Sequence, residues 1–251
     1  MRVVLSIAGS DSGGGAGMQA DIKTSEAYGV FAVSAITAIT AQNTQGVNGV
    51  LSIKTEFVVK QIEAVLNDFD VSAIKIGMLG SHEIANTLMG ILKDFRKPIV
   101  LDPVAISRAG SRLLDDSAKA ALIKLFPLAD IVTPNHFEAE YFGLSTNINA
   151  KLPECNFLIK NIFSNSDAAV DRLFLKGNFV RDFETPFAQK NNTHGTGCTY
   201  SMAIACNLAL GFTLEDAIQN SKNYIYNAIK NAPNLGKGNG PIKHKVGVNR
   251  E

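Results

Sequence analysis

The sequence predicts an α/β fold, a central, mainly parallel β-sheet with helices on both faces. Two observations carry this. Apolar runs of strand length recur along the chain, and several are unbroken, as strands buried on both faces are. The stretches between them have the 3.6-residue spacing of amphipathic helices, so strand and helix alternate. At 251 residues and 46% hydrophobic content, the chain has enough apolar surface for one sizeable core, and it is read as a single domain over 1–251.

The first strand is "RVVLSIAG" (2–9), which runs into "GSDSGGGAGMQAD" (9–21). Glycines there permit a tight turn into a helix, and Asp21 falls in the first or second turn of that helix. "AVSAITAIT" (32–40) is the second strand, followed by helical spacing at Phe57, Ile62, Val65 and Leu66. "VSAIKIGML" (71–79) is the third, followed by Ile84, Leu88, Ile91 and Leu92 at helical spacing. "KPIVLDPV" (97–104), "ADIVTPN" (129–135) and "CNFLIK" (155–160) complete the set, and "CTYSMAIACNLALGF" (198–212) reads as an apolar helix. The stretch 145–190 mixes strand-like pieces with polar turns and is the least legible.

Charge and cysteine content exclude several classes. The formal net charge is +1 and both signs are scattered, so neither a nucleic acid nor an anionic membrane finds a basic face. Cys155, Cys198 and Cys206 are odd in number and form no CxxC pair, which argues against a disulfide framework. The apolar run at the start is too brief for a signal peptide or a membrane span. A cytoplasmic location and a small ligand are the expectations.

In parallel sheets ligands sit beyond the carboxyl ends of the strands. The residues that follow the strands are Asp11 with the glycine run, Gln42 and Asn43, Gly77 and Met78, Asp102 and Pro103, then Asn135 and Glu138. The first glycine loop lacks the lysine of a Walker A motif. "GAGMQA" (15–20) matches a dinucleotide fingerprint, but the second strand ends in Ala41-Gln42 where an acidic group is needed. A plain strand-to-helix turn explains that loop equally well.

"THGTGC" (193–198) is sharper. Gly195, Thr196 and Gly197 place backbone N–H groups without helical partners at the start of an apolar helix, a natural anion site. Such fixed dipoles suit a phosphoryl group in transfer. Cys198 stands at the same positive end, where a lowered pKa and a role as proton acceptor are expected, against the plain reading of a small core residue. Cys206 and Cys155 take the plain reading. His194 is placed to orient the loop, and His82 and His244 read as exposed or packing residues. Pro134, His136 and Glu138 begin a zinc deaminase pattern that no P-C-x-x-C completes. Asp102 and Glu138 suit Mg²⁺ held through water, with helix capping as the alternative.

Seven blocks now combine: 7–24, 38–47 ("AITAQNTQGV"), 74–81 ("IKIGMLGS"), 100–104 ("VLDPV"), 132–140 ("VTPNHFEAE"), 192–205 ("NTHGTGCTYSMAIA") and 236–244 ("GKGNGPIKH"). With them the chain resembles the hydroxymethylpyrimidine/phosphomethylpyrimidine kinases of thiamine biosynthesis, a branch of the ribokinase-like superfamily. The resemblance implies a ribokinase-like fold, usually dimeric. It implies MgATP-dependent phosphorylation of 4-amino-5-hydroxymethyl-2-methylpyrimidine and then of its monophosphate. By similarity Gly195, Thr196 and Gly197 form the anion hole, and Cys198 stands where most sugar kinases of the superfamily carry an aspartate base. Gly9, Asp21, Gln42, Met78 and Val104 match the pyrimidine pocket. Asn135 and Glu138 match the N-x-x-E element near magnesium and phosphates, and Lys160 the phosphate-side lysine.

Three departures stand out. Gly13 replaces a serine of the family pattern, 105–110 differ in the flap over the pyrimidine, and Lys160-Asn161-Ile162-Phe163 replaces Lys-Gly-Gly-His on the nucleotide side. Two rival readings follow: a pyridoxal or pyridoxine kinase of the same branch, and a pyrimidine-binding protein that no longer transfers phosphate.

Overall fold

The computed structural model describes residues 1–105, 116–163 and 167–248. One sheet of nine strands runs through it, in the order β3-β2-β1-β4-β5-β6-β7-β8-β9. Strands β1 (Val3–Asp11), β2 (Phe31–Asn43), β4 (Val71–Ile76), β5 (Ile99–Leu101), β6 (Ile131–Val132) and β7 (Phe157–Ile159) are mutually parallel. They correspond to the six apolar runs. β3 (Gly46–Ser52) pairs antiparallel with β2 at one edge, and the hairpin of β8 (Ala168–Leu175) and β9 (Asn178–Pro186) closes the other.

β1, β4, β5, β6 and β7 are buried on both faces, and alternate residues feed two cores, as a period of two demands. Leu5, Ile7, Ile74, Ile76, Ile99, Leu101, Val132, Phe157 and Ile159 join one core with Val58 and Ile62 of α2 (Thr55–Asp68) and Ile84 and Leu88 of α3 (His82–Leu92). α4 (Asp116–Ile123) and α5 (His136–Tyr141) add Leu122 and Ala139 to it. Val4, Ala73, Val100, Ile131 and Leu158 face the other way, toward α1 (Gly17–Tyr28), α6 (Thr196–Leu210) and α7 (Leu214–Lys230). α6 is apolar nearly all round because it lies between the sheet and α7, with Met202, Ala203, Ile204, Ala205 and Cys206 all shielded from solvent. The plain core reading of Cys206 therefore holds.

The unassigned stretch 145–190 supplies the β8–β9 hairpin, joined by a two-residue turn at Lys176 and Gly177, both left-handed. Its charges are paired: Asp171 with Lys222 at 2.7 Å and Arg172 with Asp182 at 2.6 Å. Charged residues inside β8 hid the strand, because a buried ion pair breaks the apolar pattern as a loop does. β3 was hidden for another reason, since all its residues are exposed and the sequence shows no alternation there.

Candidate functional site

Two loops at the carboxyl end of the sheet interlock. The first joins β1 to α1, and the second, 192–195, leads into α6. Gly195 caps α6 with φ of 82°, and a side chain there would meet the Gly15 carbonyl oxygen at 1.7 Å. Only glycine allows both the left-handed backbone and the approach.

Asp11 ties the loops together. Its carboxylate accepts N–H groups of Gly13 at 2.8 Å, Gly15 at 3.0 Å and Ala16 at 2.8 Å, and lies 2.8 Å from His194 Nε2. Burial favours the neutral acid, but the bonds from His194, Ala16 and Gly13 outweigh it and hold the carboxyl below its usual range. Sequence reasoning placed Asp11 after a strand and His194 in the loop without seeing that they are partners. Their separation of 183 positions leaves no local signal.

At the start of α6 the Thr196 N–H turns back on the Thr193 carbonyl at 3.3 Å, while among the described residues no protein acceptor takes the N–H groups of Gly195, Gly197 or Cys198. The arrangement is a helix terminus open to an anion. A Cβ on Gly197 would lie 3.6 Å from Asp102 Oδ2 and 3.7 Å from Lys160 Nζ. Lys160 bonds Asp102 at 2.9 Å. Burial would favour its neutral amine, yet the charges of Asp102 and Glu138 raise its pKa.

Three expectations need correction here. Thr196 does not offer its N–H to an anion, because the Thr193 carbonyl takes it, so the open set is Gly195, Gly197 and Cys198. Cys198 is half-buried and its sulfur receives the Gly17 N–H, but the thiol is not activated: burial, with the charges of Asp21 and Asp102, outweighs Lys75 and Gly17 and pushes it up to about 11. Loss of solvent exceeds the pull of the helix terminus. Asp21 is not open to a substrate, because it is wholly buried and its carboxylate is held by Lys75 at 2.8 Å and Ser6 at 2.6 Å. Burial alone would neutralise Lys75, and the Asp21 carboxylate keeps it charged. The lysine inside "VSAIKIGML" was the visible sign, since a charge within a buried strand needs a partner.

Glu138 and Asn135 form a capping box on α5, each side chain accepting the other's backbone N–H at 3.0 Å. Glu138 also accepts the Ala105 N–H at 3.3 Å. The capping alternative is thus realised, and it leaves the carboxylate facing the same interior as Asp102. Burial and the Asp102 charge raise Glu138 to about 7. Among the described residues no three His, Cys, Asp or Glu side chains cluster as metal ligands.

Gly9 sits under Met78, whose Cε would lie 2.5 Å from a Cβ at position 9. Gln42 touches Thr40 Oγ1 at 3.2 Å with one end of its carboxamide and His194 Nε2 at 3.4 Å with the other. Val104 lines a small cavity with Gly77 and Leu79. Of the flap, 106–110 lie outside the described residues.

The block at 236–244 acts as a strap. Lys237 and Gly238 donate to Thr44 Oγ1 at 3.2 and 3.1 Å, Asn239 Oδ1 accepts from Thr193 N–H at 2.9 Å, and the Gly240 carbonyl accepts from His194 N–H at 3.0 Å. It joins the β2–β3 turn to the anion loop.

A profile of the phosphomethylpyrimidine kinase family matches residues 11–243. The hydroxymethylpyrimidine/phosphomethylpyrimidine kinase of Haemophilus influenzae is 42% identical over 262 residues, spanning 97% of each chain. The crystal structure of phosphomethylpyrimidine kinase from Clostridium difficile is similar with a TM-score of 0.78 and 41% identity, over 92% of this chain and 100% of that one. An ADP complex of Bacillus subtilis pyridoxal kinase has a TM-score of 0.87 at 32% identity, over 97% of both chains.

Proposed function

The chain belongs to the phosphomethylpyrimidine kinase family, and from that premise we propose how its residues carry the reaction. The protein is a phosphotransferase of thiamine biosynthesis that uses ATP to phosphorylate 4-amino-5-hydroxymethyl-2-methylpyrimidine and then its monophosphate. The observation that supports this reading most is the open set of N–H groups at Gly195, Gly197 and Cys198 beside the Asp102–Lys160 pair.

Those amides receive the equatorial oxygens of the migrating phosphoryl group, whose negative charge meets fixed dipoles that need no rearrangement. Lys160, next to Gly197, adds a full positive charge. Cys198 takes the hydroxyl proton. It does so as the thiolate, a minor form at neutral pH because the thiol is raised to about 11, and a loose transition state, which needs little prior deprotonation of the hydroxyl, suits that scarce base. Gly9, Met78 and Val104 give the ring its apolar walls, Gln42 pairs with its polar edge, and Asp21 acts from beneath through Lys75.

Magnesium fits this interior, where the Asp102 and Glu138 carboxylates face the single ammonium of Lys160. Asp102 and Glu138 would hold a Mg²⁺ ion through water, which would supply positive charge to the phosphates, and the Asn135 side chain, whose oxygen caps α5, has its amide nitrogen for a phosphate oxygen.

The likeness to pyridoxal kinase favours pyridoxine as a second substrate. Parallel assays with ATP, Mg²⁺ and either vitamin precursor decide the matter. Mono- and then diphosphate formation from the pyrimidine is expected, and kcat/KM for pyridoxine equal to or above that for the pyrimidine would displace it as the main substrate.

A homodimer through the β2–β3 edge is supported by exposed Ile39, Val50 and Leu51, at 46, 59 and 66%, since exposed apolar patches mark association surfaces. A cytoplasmic location agrees with the free cysteines. Among the described residues no helix is long and apolar enough to cross a membrane.

A further inference from the structure

Gln42 meets two groups whose hydrogens are already committed. Asp11, held by three backbone N–H groups, is a carboxylate. His194 Nε2 stands 2.8 Å from it and must donate, so Nε2 has no lone pair left to accept a hydrogen bond. On the far side the Thr40 hydroxyl gives its single hydrogen to the Ser10 carbonyl at 2.9 Å. It can only accept from Gln42.

A carboxamide's two ends are the same size, and its partners decide which is oxygen. With nitrogen toward His194 and oxygen toward Thr40, donor faces donor and acceptor faces acceptor. The reverse order removes both clashes: the oxygen faces the positive edge of an N–H already given to Asp11, and the nitrogen donates to the Thr40 hydroxyl oxygen.

We infer that Asp11, acting through His194, is a positioning group that turns the Gln42 oxygen toward His194 and its nitrogen toward Thr40. The outer edge of the carboxamide then presents an acceptor and a donor in one fixed order. A ring with an amino group beside a ring nitrogen can pair with that edge in one of its two flipped orientations only. Specificity for an aminopyrimidine thus depends on a histidine of the phosphate loop and an aspartate of the first loop, neither of which need touch the ring. The inference rests on the pyrimidine-pocket reading above.

Two measurements test it. In the wild-type protein, nitrogen chemical shifts of His194 should show Nε2 protonated; an Nδ1–H tautomer with a bare Nε2 overturns the proposal whether or not any ligand binds. Calorimetry with the hydroxymethylpyrimidine then compares variants. His194→Phe should weaken binding by about tenfold, the scale of one lost polar contact. His194→Gln, which keeps a donor near the Nε2 position, should restore most of that, and ADP affinity should stay within about twofold. In a Gln42→Ala background His194→Phe should cost nothing further, since coupled residues fail to add. Equal losses in both backgrounds, failure of His194→Gln to rescue, or a matching loss of ADP affinity would show a role in loop structure only. If the wild-type protein gives no heat with the pyrimidine, the pocket reading fails, and the histidine shifts still report where the proton lies.

Discussion

The Lys75 ammonium lies 2.8 Å from the Asp21 carboxylate, and both side chains are wholly shielded from water. The pair sits beneath Cys198, so it links β4 and α1 to the reacting end of the site. Removing one partner leaves a bare charge in the interior, which costs about 3–5 kcal/mol. Asp21→Asn should therefore lower the urea midpoint sharply. A joint Asp21→Leu, Lys75→Met variant should recover much of the stability and none of the activity. A stable Asp21→Asn protein would contradict the pairing.

Cys198 predicts a pH profile. Its thiol stands at about 11, so the proton-accepting form grows as pH rises, and kcat/KM for the hydroxymethylpyrimidine should climb on the alkaline side of neutrality. Cys198→Asp supplies an acceptor that is ionised at lower pH and should move that limb toward acid. Cys198→Ala should lose roughly 10²-fold or more in kcat while still binding the ring. A flat profile shared by all three proteins would remove Cys198 from proton transfer.

Glu138 carries a sign that can be checked. Its folded pKa is raised to about 7 from an ordinary 4.5, so between these values the folded chain binds more protons than the unfolded one. Stability then falls as pH rises through that window. Glu138→Gln keeps an acceptor for the cap and removes the charge. It should raise the melting temperature at pH 8, by about 2–4 °C per kcal/mol recovered in a chain this size, and weaken the magnesium dependence of ATP binding. No thermal shift at pH 8 would mean that the carboxylate is not strained.

The exposed β3 edge predicts assembly. Leu51→Glu should convert a dimer to a monomer in light scattering at unchanged fold. A wild-type monomer at micromolar concentration would end the dimer reading.

The parallel half of the sheet was legible because each of its strands is an apolar run, and the helices between show their spacing at Ile62 or Leu88. The anion loop was legible because glycine, threonine and glycine before an apolar helix have few other uses. What stayed hidden depends on distance. Asp11 and His194, or Lys75 and Asp21, meet only after the sheet is built, and a lowered Cys198 pKa follows from the helix terminus alone until burial is known. β8 was masked by Asp171 and Arg172, whose partners Lys222 and Asp182 cannot be paired by reading along the chain.

The strap at 236–241 follows all nine strands in the chain order, yet it fastens Thr44 and Thr193. Both the transfer loop and α6 come before the strap in the chain, so the loop is fastened by residues that lie beyond α7.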